Sequence, residues 1–151
     1  MTTLQDIRNG VNAALKTVYP KLKVYGADTI EGYSKPSFFV YVNQTFAETT
    51  KNVIHKNVEI EIDYVQKAPN ESEGFAFFAE MEKLFCHKLK TKKRQLSTSN
   101  LYSNFEGEHN NIPCFYFDVE FWDAIEKEPD NSALMGDFEI KTEVKRWDYQ
   151  P

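Results

Sequence analysis

Residues 57–64, NVEIEIDY, alternate without a break between polar or acidic side chains and apolar ones. In an extended strand, successive side chains point to opposite faces. Val58, Ile60, Ile62 and Tyr64 therefore share one face, and Asn57, Glu59, Glu61 and Asp63 share the other. Helical geometry would scatter both sets around a cylinder. The chain needs a sheet with one core face, and two further segments fit it. In IPCFYFDVEFW, residues 112–122, Phe115, Phe117, Val119 and Phe121 oppose Cys114, Tyr116, Asp118, Glu120 and Trp122. In KPSFFVYV, residues 35–42, Phe38, Val40 and Val42 oppose Phe39 and Tyr41, with Pro36 at the strand entry, where a missing amide donor is tolerated.

Helical periodicity marks two other segments. Leu4, Ile7, Val11, Leu15 and Val18 follow Thr3, with Asp6 placed for a capping box, and predict a helix from about Leu4 to Tyr19, stopped by Pro20. Asn70 and Glu73 repeat the signature ahead of Phe77, Phe78, Met81, Leu84, Phe85 and Leu89, predicting a second helix from about Glu73 to Leu89. KVYG is a short first strand, LYSNFEGE leads through Asn110 and Asn111 into the long strand, and FEIKTEVKRW alternates as a last one. The polar stretch FAETTKNVIHK between the second and third strands reads as a hairpin arm. The order α-β-β-β-α-β-β-β predicts an α+β domain spanning residues 1–151, with a mostly antiparallel sheet of about six strands and both helices on one face.

With the helices on one face, the other carries Phe39, Tyr41, Tyr116 and Trp122 among Glu59, Glu61, Asp63, Asp118 and Glu120. Amphipathic rings beside charges fit a subunit interface, where both a partner and water must be tolerated. A net charge of -5 argues against a general nucleic-acid binder. Against that average, Lys88, Lys90, Lys92, Lys93 and Arg94 concentrate positive charge at the end of the second helix. They complement its dipole and could also dock an acidic neighbour or a passing DNA backbone. No leader peptide and no run of about 20 apolar residues is evident, so a cytosolic site of synthesis and no membrane partner are expected. Cys86 and Cys114 lack metal-ligand spacing and are expected to be buried free thiols.

No phosphate-binding loop, nucleophile elbow or zinc-protease motif occurs, and His55, His87 and His109 are far apart. The one pattern with catalytic logic is DFEIK, in which Asp137 and Glu139 would hold a divalent ion and Lys141 would polarise a water, as in a metal-dependent nuclease. Alternating acid and base on a strand edge also serves solubility alone. No cofactor is expected.

Together, GYSKPSFFVYV after a short strand, FYFDVEFW, and the closing LMGDFEIKTEVKR resemble the small tail terminator proteins of long-tailed phages and phage-like elements. The resemblance spans nearly the whole chain. It implies a non-enzymatic virion protein that assembles in the host cytoplasm as a ring, usually hexameric. That ring caps the tail tube, ends its growth and offers a surface for a head-completion or neck protein. Its partners would be further copies of itself, the tail tube protein and the neck protein, with DNA only in passing. On this reading the second sheet face and the hairpin arm are subunit contacts. A neck component of similar size would share the ring logic.

Overall fold

The computed structural model of the chain describes residues 1–129 and Gly136. The elements in chain order are α1 (Leu4–Val18), β1 (Lys23–Tyr25), β2 (Ser37–Thr49), β3 (Val53–Val65), α2 (Glu71–Phe85), β4 (Lys88–Lys90), β5 (Gln95–Glu106) and β6 (Ile112–Ala124). The fold is α+β, with a six-stranded sheet in the order β1-β2-β3-β6-β5-β4. Two consecutive three-strand groups, each preceded by a helix, meet at the central β3–β6 ladder. The sheet is mixed, because β1 runs parallel to β2 while the other pairings are antiparallel. This corrects the expectation of a mostly antiparallel sheet. The loop between β1 and β2 is long enough to cross over, so β2 enters beside β1 in the same direction.

The element order matches the expected one, but its membership does not. The last expected strand, FEIKTEVKRW, lies outside the described residues. Its place in the count is taken by β4, cut from what the sequence assigns to the end of the second helix. Phe85 and Leu89 are four residues apart and fit a helix, yet α2 stops at Phe85 with Cys86 as its C-cap. Leu89 reaches the core as the inward residue of a strand paired to β5, through Leu89 opposite Leu96. The Thr91 hydroxyl accepts hydrogen bonds from the amides of Lys93 and Arg94, which folds the turn that returns the chain to β5.

Both helices start as their caps require. Thr3 and Asp6 form a capping box on α1, and Asn70 accepts from the Glu73 amide at 3.1 Å on α2. The Thr3 amide, with help from Lys93, holds the Asp6 carboxyl at a pKa of about 2. The helices pack on the same face of the sheet. Ile7, Val11 and Leu15 of α1 and Phe77, Met81 and Phe85 of α2 meet Phe38, Val40, Val58, Ile60, Ile62, Phe115, Phe117 and Val119. At Gly10, a Cβ would lie 2.7 Å from the Lys90 carbonyl oxygen, so the missing side chain is what lets α1 rest on β4. Cys114 is buried as expected, whereas Cys86, at the end of α2, is exposed.

Candidate functional site

The sheet face away from the helices is assembled by register. Across β2, β3 and β6, Phe39 lies opposite Asp63, which lies opposite Cys114; Tyr41 opposite Glu61 and Tyr116; Asn43 opposite Glu59 and Asp118. Nearer the arm, His55 lies opposite Trp122. The expected interface residues thus share one face, but with different surroundings.

At the β1 side the face is covered by the chain itself. Tyr33, from the loop ahead of β2, meets Phe39 edge-on at 5.1 Å, and Tyr25 lies 5.4 Å from the same ring, leaving Phe39 only 6% exposed. Tyr116 is 7% exposed, with Tyr102 of β5 stacked on it at 4.5 Å. Its hydroxyl donates to Glu106 at 2.8 Å. Tyr41 is half-buried. Between these rings lie Glu61, Asp63 and Cys114, whose ligand-type atoms fall within 4.8 Å of one another. Burial, reinforced by Glu61, pushes the Asp63 carboxyl up to about 7, and burial with Asp63 beside it pushes the Cys114 thiol up strongly.

At the arm side the face is open. The Trp122 indole stacks on the His55 imidazole at 4.1 Å and 2° from parallel, and Phe46 meets the other side of His55 edge-on at 5.2 Å. Trp122 is 56% exposed and Phe46 40%. His55 Nε2 lies 2.6 Å from Glu120, and Nδ1 lies 4.0 Å from Glu48. Flat aromatic surface rimmed by carboxylates suits contact with another macromolecule. Sequence reasoning named Trp122 but missed His55 and Phe46, which only the β3–β6 register and the arm bring to it. Glu59 and Asp118 face each other between the two regions, and Asn100 donates to Asp118 at 2.9 Å.

The basic run divides in two. Lys93 is bound to Asp6 at 2.9 Å and to the Met1 carbonyl at 2.8 Å. Arg94 donates to Asp123 at 3.2 Å and to the Trp122 carbonyl at 3.0 Å, and its guanidinium lies over Phe121. Both tie the β4–β5 turn to the body of the protein. Lys88, Lys90 and Lys92 are exposed and flank an open groove of about 450 Å³ between α1 and β4, lined by Gly10, Ala13, Ala14, Leu84 and Leu89 among others. Asp137, Glu139 and Lys141 lie outside the described residues.

The fold thus carries an extended arm and an aromatic, acid-rimmed face on the side away from its helices. The phage tail terminator protein family model matches residues 6–131, and the chain belongs to that family. It is accordingly a structural protein of the phage tail and a component of the virion. No curated protein sequence matches it. Among the described residues, no helix is long and apolar enough to cross a membrane.

Proposed function

We propose that this chain, as a single tail-terminator domain, assembles into a ring that caps the tail tube. The ring stops tube growth and presents the surface on which a head-completion or neck protein is joined. The observation that carries this reading is the family match over residues 6–131. The exposed Trp122, His55 and Phe46 cluster supports it, since large rings left half in water near the arm are the kind of anchor that a subunit contact buries. Tyr41 extends that contact surface, while Phe39 and Tyr116 support it from beneath. Six copies are expected.

In such a ring the acidic surface of Glu59, Glu61, Asp63, Asp118 and Glu120 faces the channel, where it repels phosphates and lets the genome slide. Each cation placed there instead would add salt-dependent affinity for DNA. Lys88, Lys90 and Lys92 then lie at the rim or outer wall, free to dock an acidic neighbour, with Lys93 and Arg94 fixing the turn that carries them. Catalysis plays no part. Absolute mass in solution, together with electron microscopy of the protein mixed with tail tubes, tests the reading. Rings or end-capped tubes are expected, and a protein that stays monomeric and leaves tube ends bare overturns it.

A further inference from the structure

The edge strands β1 and β4 carry Lys23, Lys88 and Lys90 but are only three residues long, so the long strands beside them, β2 and β5, supply most of the sheet's outer edge. Edge strands of soluble proteins normally carry lysine, other charges or proline, because an open row of amides and carbonyls invites pairing with another chain. The central strands are charged as well, with Lys56, Glu59, Glu61 and Asp63 on β3 and Asp118, Glu120 and Asp123 on β6. The two strands outside them carry none over long stretches, from Ser37 to Ala47 on β2 and from Gln95 to Phe105 on β5.

Among the described residues, both strands are also left largely open. β1 pairs with β2 only at Ser37, Phe38 and Phe39, although β2 continues to Thr49. β4 pairs with β5 only at Gln95, Leu96 and Ser97, although β5 continues to Glu106. Among the described residues, no strand pairs with the outer edge of β2 beyond Phe39 or with that of β5 beyond Ser97, apart from the Thr98 amide donating to the His87 carbonyl. These edges lie on opposite sides of the same sheet. Each strand has one register shift, at Gln44/Phe46 and Ser99/Tyr102, so each edge is bent but not charged.

We propose that the open edge of β2 on one copy pairs with the open edge of β5 on the next, so that the sheet continues from subunit to subunit. The occupant of each edge is a second copy of this chain. The two surfaces differ, so the contact is heterologous, and a heterologous contact closes into a ring when its rotation allows. Strand addition supplies main-chain hydrogen bonds without a large apolar patch, which fits two edges rich in Ser, Thr, Asn and Gln. It would set every copy's acidic face on the same side of the wall. The inference rests on the ring reading and adds a backbone contact to the one proposed for the Trp122, His55 and Phe46 cluster.

Two full-length variants test it. Asn43→Lys with Ala47→Lys charges the β2 edge, and Ser99→Lys with Ser103→Lys charges the β5 edge; all four positions are exposed. Circular dichroism and the urea midpoint are compared with the parent to establish that each variant is folded. Native mass measurement, with tail tubes added where the free parent is monomeric, should show rings for the parent and single copies for either variant. An equimolar mixture of the two should give heterodimers and nothing larger, because one good edge remains on each partner. Variants that still form rings overturn the edge pairing and leave the ring reading standing. A parent that forms no ring even on tubes overturns both. Dimers of one variant alone point to pairing of like edges, and a β5 variant destabilised against the parent points to an edge already occupied within the chain; either result overturns the proposal.

Discussion

Trp122 and His55 lie face to face across the β3–β6 ladder, 4.1 Å apart and 2° from parallel, with more than half of the indole left in water. A stack between directly opposed residues needs no support from the core. Trp122→Ala should therefore cost only about 1 kcal/mol of stability, the size of an aromatic pair, by urea denaturation. The same substitution should abolish assembly on tail tubes. A loss of several kcal/mol would place Trp122 with the core residues instead.

The core makes the contrasting case. Phe85 is fully buried and stacks on Phe117 at 4.6 Å, at the point where α2 meets the central ladder. Phe85→Ala should cost about 3–5 kcal/mol, measured as a fall in urea midpoint at constant slope.

Gly10→Ala has an expected sign opposite to that of helix propensity. In an open helix the change gains about 1 kcal/mol. Here the added Cβ would meet the Lys90 carbonyl oxygen at 2.7 Å, so α1 must lift from β4. The variant should be less stable than the parent, and a raised melting temperature would show that α1 gives way freely.

Asp63 sets a pH dependence. Its folded pKa is raised to about 7 by burial and by Glu61, with Cys114, Glu106 and Tyr41 as its other titratable neighbours. Between the unfolded value near 3.9 and about 7 the folded chain binds the extra proton, so stability falls as pH rises through that window and levels off above it. Asp63→Asn should flatten this slope and make the protein more stable than the parent at pH 8. Equal slopes for the two proteins would rule Asp63 out as the source.

Asp6 acts in the opposite direction. Its pKa is lowered to about 2, so its contribution is present above the unfolded value near 3.9 and is lost as pH falls through about 2. Asp6→Asn should weaken the acid-side loss of stability and free Lys93. An unchanged acid limb would show that the capping box and the Lys93 pair contribute nothing.

The strands β2, β3 and β6 and both helix starts were legible because each rests on local periodicity or a cap within a few residues, whereas the serine-rich first half of β5, from Gln95, reads as a loop. β4 was not, since the spacing of Phe85 and Leu89 serves a helix and a helix-turn-strand equally well, and only pairing with β5 decides between them. The outer face was legible as a set of residues but not as an environment. Tyr33 covers Phe39 from a loop and Tyr102 covers Tyr116 from a neighbouring strand, and no periodicity encodes either contact. Lys93 and Arg94 looked like part of a solvated run because their partners, Asp6 and Asp123, are distant in sequence.

The β3–β6 ladder has a consequence for synthesis. β3 ends at Val65 and β6 begins at Ile112, so while the chain emerges from the ribosome β3 is a bare flank of a three-stranded fragment. Glu59, Glu61 and Asp63 then sit on the strand most exposed to neighbouring nascent chains, and Asp118 and Glu120 do the same for the second fragment until the halves join. Acidic side chains in the middle of the finished sheet thus put charge on the flank of each unfinished half, the device by which soluble proteins blunt an exposed strand edge.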